Sequence, residues 1–249
     1  MNVLCFSLWG SAPKYTLGML ENAKLAPIIY PGWEVRCYVG ASVPKEIITQ
    51  LIDLSVNVIS KPENGDWMSM FWRFEAMCDW KINACVSRDA DSRISKREKV
   101  AVDEWLASGN TLHVIRDHPW HAARIMGGMW GVRPFKLPKF KEWMDEYMKT
   151  QAGDYWQTDQ NFLRDVVWPN VPSNEKFVHD EFFASKSTAH RIIPVSRAIV
   201  SSEGLRTTFI GQVWFYDASG NQQTVGEHIA ILQQFMSLPP QYRIENLFE

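Results

Sequence analysis

Two aspartates one residue apart, Asp89 and Asp91, close a short apolar run in Lys81-Ile-Asn-Ala-Cys-Val-Ser-Arg-Asp-Ala-Asp-Ser-Arg93. In extended chain, side chains two residues apart point the same way, so both carboxylates can reach a common point. Oxygen ligands of this kind suit Mg2+ or Mn2+, which take one or two carboxylates and complete their shell with water and substrate phosphates. The pair therefore points to a diphosphate-bearing ligand. Arg88 and Arg93 bracket it, and a guanidinium meets phosphate oxygens bidentately as readily as it neutralises carboxylates. Arg73 lies between Trp72 and Phe74, where partial burial calls for an anion; phosphate is one partner, and Glu75 or Asp79 is the other.

A second concentration of chemistry runs from His113 through Asp117 and His118 to His121. These groups could orient a second substrate or move a proton, although Pro119 lets the same stretch serve as a turn. Together with Asp89 they would also suit a metal-dependent hydrolase that holds a bound hydroxide.

The elements that must position these residues alternate. A strand over Val3 to Leu8, a helix from about Thr16 to Ile29, a strand over Glu34 to Val39, a helix over Pro44 to Leu54 and a strand from Val56 to Ser60 predict a mostly parallel sheet covered on both faces. A helix is expected over Met68 to Cys78, carrying Arg73 ahead of the aspartate-bearing strand. Ser95-Lys-Arg-Glu98 has the spacing of a capping box, with Gly109 as the stop of its helix and Thr111 to Ile115 as the next strand. Gly127-Gly-Met-Trp-Gly131 reads as a turn, or as a strand closely approached by a ligand. Further helices are expected over Phe140 to Lys149 and Thr158 to Val166. Beyond about Trp168 the alternation fades, and an irregular tail is expected.

The chain of 249 residues is 46% hydrophobic with a formal net charge of −2, so it can bury a substantial core, and one domain is expected. Without a basic run or stripe, a nucleic-acid partner is not expected. No apolar stretch is long enough to predict a transmembrane segment. The 4 cysteines, Cys5, Cys37, Cys78 and Cys85, form no C-x-x-C pair and fit a reducing, cytoplasmic setting. The 12 tryptophans are explained by core and rim packing, with sugar stacking as the alternative.

Over Ser87-Arg-Asp-Ala-Asp-Ser-Arg93, His113-Val-Ile-Arg-Asp-His-Pro-Trp-His121, Ile125-Met-Gly-Gly-Met-Trp-Gly131 and Thr158-Asp-Gln160, the chain resembles the GT-A type of nucleotide-sugar glycosyltransferase with an Asp-x-Asp motif, in a bacterial and viral group. The resemblance covers about residues 1 to 170. It implies a GT-A, Rossmann-like α/β fold, with a nucleotide-binding half over 1–110 and a donor-sugar and acceptor half over 111–249. It also implies transfer of a sugar from a nucleotide-diphosphate sugar to a glycan or other acceptor, with Mn2+ or Mg2+ as cofactor. Asp89 and Asp91 would be the metal and donor-ribose ligands, Asp91 preferred as the direct one. His179 is preferred over His190 and His228 as a third metal ligand. Trp9, Gly10 and Tyr15 would meet the nucleotide, with Arg73 and Arg88 beside the phosphates. Gly127 and Gly128 would lie along the sugar, and Asp159-Gln160 would border the reacting carbon. Asp159 is the first choice for base or sugar-orienting group, ahead of Asp117 and His118. The alternatives are the hydrolase and a non-catalytic sugar-binding protein.

Overall fold

The computed structural model describes residues 1–118, 120–183, 190–195, 199–200, 206–207, 209–216 and 222–224. Pro119 and His228 lie outside the described residues. Eight strands form the central sheet: β1 (Asn2–Leu8), β2 (Glu34–Val39), β3 (Asn57–Ser60), β4 (Ala84–Ser87), β5 (Leu112–Arg116), β6 (Trp130–Val132), β7 (Lys176–Asp180) and β8 (His190–Arg191). Their order is β3-β2-β1-β4-β6-β5-β7-β8. Strand β6 runs antiparallel to both its neighbours, and the remaining pairs are parallel. The expected mostly parallel α/β sheet is what forms.

Period-two alternation along β1 divides the core. Leu4, Phe6 and Leu8 pack with Met19 and Leu20 of α1 (Pro13–Ile29), Leu51 of α2 (Lys45–Asp53) and Val102 and Trp105 of α3 (Lys96–Ser108). Val3 and Cys5 face the other way. They meet Phe71 and Phe74 of a 3-10 segment (Trp67–Cys78), Phe140 and Met144 of α4 (Phe140–Thr150), and Phe162 of α5 (Thr158–Phe162). Both sheet faces are thus covered by helix, and each fully buried large apolar side chain contributes roughly 1.5–3 kcal/mol.

Local signals set the ends of these elements. Pro13 opens α1 at a position where no backbone donor is needed. Ser95 caps α3, its Oγ accepting from the Glu98 backbone at 3.1 Å, and Gly109 closes that helix at φ +75°. The return half of the expected box is not made, because Glu98 turns its carboxylate inward to Arg88 and Tyr30. Residues 67–78 form a 3-10 helix rather than the expected α-helix, opened by a reciprocal box between Asp66 and Ser69. α5 begins at Thr158 as anticipated, then passes into a π turn over Leu163–Val167.

The expectation of an irregular chain after Trp168 is corrected by β7, which pairs parallel with β5. Its sequence, Lys-Phe-Val-His-Asp, hides the strand because two of its buried side chains are polar and find partners on other elements. His179 bonds to His113 and Glu104, and Asp180 pairs with Arg116 at 2.6 Å. Among the described residues, no helix is long and apolar enough to cross a membrane.

The chain lays β1, β2 and β3 outward in one direction, then returns to place β4 on the opposite edge of β1. Where strand order reverses in this way, the loops leaving the two adjacent carboxyl ends diverge and open a crevice. Here those loops follow Leu8 and Ser87.

Candidate active site

A cleft of about 710 Å³ opens at that point. It is lined by Trp9 and Tyr15 after β1, by Asp89 and Asp91 after β4, and by Gly127, Gly128, His118, Asp159, Gln160 and Arg73 from later elements and the 3-10 segment. Residues expected in the nucleotide half and in the sugar half therefore share one wall.

Arg73 organises the floor. Its guanidinium reaches Asp89 through Nη1 and Asp159 through Nη2, the latter at 2.7 Å, and Nη1 also donates to the Arg88 carbonyl at 3.3 Å. Its backbone N–H donates to Ser7 Oγ of β1 at 3.0 Å. Of the partners weighed from sequence, Glu75 is taken by Lys61 at 2.6 Å, and Arg73 holds two cleft carboxylates instead. Asp159 is 3% exposed. Burial raises its pKa above the ordinary carboxylate value, with the Arg73 charge opposing that shift.

Asp91 stands two residues on from Asp89 and lines the same cleft. Burial, and then the charge of Asp89, push its carboxyl up to about 6. Among the described residues, the charged side chains lining the cleft are three carboxylates, Asp89, Asp91 and Asp159, against one guanidinium, Arg73. Such an imbalance in a partly dehydrated cleft suits a hard cation, and the donors on offer are carboxylate oxygens. Among the described residues, no group of three or more His, Cys, Asp or Glu side chains assembles into a protein-only metal site. Two carboxylates with the remaining ligands from water and substrate phosphate is the manner in which Mg2+ and Mn2+ are commonly held, so Asp89 and Asp91 fit the group.

The aspartate loop is held from behind. Asn22 of α1 donates to the Ser92 carbonyl at 2.8 Å and accepts from the Ile94 backbone at 3.1 Å. Arg93, expected beside phosphate, caps the same loop by donating to Ser92 O at 2.7 Å and to the Tyr216 hydroxyl at 2.7 Å. On the cleft side, Gly127 and Gly128 are required by close approach. A Cβ on Gly128 would fall within the Asp89 carboxylate, and one on Gly127 would strike the Asp159 carboxylate and come within 2.6 Å of Arg73 Nη2. Ser87 Oγ fixes this segment by donating to Gly127 O at 2.6 Å.

Four expected site residues lie elsewhere. Arg88 is fully buried, donating through Nε to Glu98 at 2.8 Å and through Nη1 to the carbonyls of Ser87 and Trp130, so its guanidinium is part of the core and not of the donor site. His179 is corrected from metal ligand to core residue. Its ring bonds His113 at 2.9 Å and Glu104 at 2.8 Å, away from the aspartates, and burial lowers the pKa of both imidazoles. Its rival His190 lies on β8 at the sheet edge. Asp117 is enclosed by Arg97, at 3.0 Å, and by the Ile210 backbone N–H. Gly10 sits beyond the lining, its N–H on Ser42 Oγ at 2.7 Å.

The hydrolase cluster is consequently divided. His113 and Asp117 are bonded within the core, whereas His118 and His121 face the cleft with ring centres 5.1 Å apart. The sequence reading missed Trp67, Trp156 and Gln157, which also line the cleft. Gln157 has φ +84°, a left-handed conformation that no local glycine announces.

A comparison with protein-family models gives no match, and a sequence comparison with curated proteins gives none either. Solved structures similar to this chain include a glycosyltransferase involved in glycosylation of the major capsid of PBCV-1, at 14% identity and TM-score 0.47, over 73% of this chain and 82% of that one. A mannosyltransferase of Pyrobaculum calidifontis, in complex with GDP-Man and Mn2+, has 12% identity and TM-score 0.48, over 78% of this chain and 57% of that one. A 4-diphosphocytidyl-2C-methyl-D-erythritol synthase of Anaerococcus prevotii has 9% identity and TM-score 0.49, over 96% and 99%. Sugar-transferring and nucleotidyl-transferring proteins are both represented among them.

Proposed function

We propose that this cleft binds a nucleotide-diphosphate sugar together with Mn2+ or Mg2+ and transfers the sugar to an acceptor hydroxyl. The observation that carries the reading is that Asp89, Asp91, Asp159 and Arg73 line one cleft beside the carboxyl ends of β1 and β4, with Arg73 pairing Asp89 and Asp159. Asp89 and Asp91 would hold the cation, which when bound acts as a Lewis acid toward the departing diphosphate.

The chain's own groups account for the remainder. Trp9 and Tyr15 offer faces to the nucleotide, with Trp9 steadied edge-on against Trp72 at 6.4 Å. Gly127 and Gly128 let the Asp159 and Asp89 carboxylates lie directly against their backbone, and the sugar would pass along this wall. Asp159 and Gln160 border it, and Asp159 is the candidate to receive the acceptor's proton as the new bond to the anomeric carbon forms and the bond to diphosphate breaks. Arg73 keeps Asp159 and Asp89 in fixed relation and is a positioning residue in this scheme. Tight zinc binding, which the hydrolase would need, finds no assembled ligand set among the described residues.

The test is release of nucleotide from UDP-, GDP- and CMP-sugars in the presence of Mn2+. Turnover of one donor is expected in the native protein, with loss of that turnover in Asp91→Asn and an unchanged circular dichroism spectrum. Full turnover by Asp91→Asn would overturn the assignment. No turnover of any donor, with the nucleotide sugar still bound, would favour the non-catalytic sugar-binding reading.

A further inference from the structure

Four tryptophans are exposed among the described residues, and three of them, Trp67, Trp120 and Trp156, line the same cleft at 39%, 46% and 67% exposure. The fourth, Trp80, is 71% exposed and lies outside it. Leaving a large apolar ring in water is unfavourable, and clustering such rings at the rim of one cavity marks a surface that a ligand covers.

Their placement is built. Trp67 starts the 3-10 segment, and its backbone N–H donates to Asp154 Oδ1 at 3.0 Å, tying it to the loop that carries Trp156. Trp156 is followed by Gln157 at φ +84°, a conformation held at a cost for a residue with a side chain. Across that turn Trp156 stays in water while Asp159 is buried at 3% exposure. Trp120 arrives from a third segment, after β5, and packs beside His118 with ring centres 5.2 Å apart. No charged side chain other than Arg73, Asp89, Asp91 and Asp159 lines the cleft among the described residues, so the indoles form its uncharged part.

Resting on the transfer reading above, we infer that Trp67, Trp120 and Trp156 form an acceptor subsite for a glycan, stacking on the apolar C–H faces of its pyranose rings. A pyranose offers flat apolar faces with hydroxyls at the edge, which matches uncharged indoles in water better than a charged peptide or a phosphate does. The three rings come from three separate segments, so they offer more than one stacking surface. Trp9, on the loop after β1, and Tyr15, in the first turn of α1, are only partly exposed and are left for the donor base.

The experiment applies labelled full-length protein to an array of immobilised pyranose glycans, with nucleotide binding to UDP and GDP measured separately by calorimetry. Native protein should bind a subset of the glycans, and Trp67→Ala and Trp156→Ala should each weaken that binding about tenfold. Trp80→Ala should match native protein, and nucleotide affinity should be unchanged in all variants. Absence of glycan binding, equal glycan binding by the Trp67 and Trp156 variants, or loss of nucleotide affinity in them would each overturn the subsite. Failure of sugar transfer itself appears elsewhere, as absent donor turnover in native protein, and is thereby distinguished from failure of the subsite.

Discussion

The carboxyl of Asp91 gives the clearest pH signature of any single residue in the cleft. Its proton is released near 3.8 when the chain is unfolded and near 6 in the folded protein. Between those values the folded state holds the extra proton, so this group's stabilising contribution is complete below about 3.8 and is lost as pH rises through 6. Metal-free Asp91→Asn should therefore be more stable than native protein at pH 7.5 and similar to it at pH 4, as read by urea unfolding at the two pH values. A variant less stable at pH 7.5 would refute the raised carboxyl. Mn2+ should reverse the order by stabilising only the native protein, and its affinity should fall below about pH 6 as Asp91 takes up a proton. At Gly128 the added methyl of Gly128→Ala would intrude on the Asp89 carboxylate. A displacement on the order of 1 Å costs about 10²-fold in turnover, and a steady-state assay with the responsive donor should show a loss of that size.

At the scale of elements, a polar knot joins α1, α3 and the end of β4. Tyr30, just past α1, donates to Glu98 of α3 at 2.6 Å, and Glu98 accepts from Arg88 at 2.8 Å. Arg88 and Glu98 side chains are each 1% exposed, and removing one member of such a pair costs about 3–5 kcal/mol. Arg88→Ala should lose that much in chemical denaturation, while the folded fraction keeps native nucleotide affinity in calorimetry. An intact melting profile with weakened nucleotide binding would return Arg88 to the donor site. The same residues explain what the sequence could and could not reveal. Asp89, Asp91, Gly127 and Gly128 stood out through strand-end and glycine spacing, which are local, whereas Asp159 and Gln160 entered only through the family resemblance; all six line the cleft. Arg88 and His179 were misread because their partners, Glu98, His113 and Glu104, lie on other elements and no local pattern announces a buried polar pair. β7 was lost for that reason too, and Gln157 because its left-handed turn lacks a glycine.

For the whole molecule, the cleft draws on both halves of the chain, from Ser7 to Val213. A donor that bridges the loops after β1 and β4 and also touches the Gly127 and α5 regions should stabilise the protein globally and not in one element alone. At one hundred times its dissociation constant a ligand adds about 2.7 kcal/mol, a shift of roughly 5–11 °C for a protein of this size. A thermal-shift series of UDP-, GDP- and CMP-sugars should thus single out one base, with the shift requiring Mn2+. Shifts of equal size with and without Mn2+ would argue against Asp89 and Asp91 as the cation's ligands.

The antiparallel strand β6 sits between β4 and β5 although it is made after both. During synthesis the first four strands can assemble as a parallel block, but the free edge of β4 stays open until Trp130–Val132 leaves the ribosome and is inserted. A nascent chain interrupted before that point would present a hydrophobic template, Ala84–Ser87, to its neighbours. The segment that completes the sheet is continuous with Gly127 and Gly128, so the last step in sealing the β4 edge is also the one that brings the wall behind the aspartates into being.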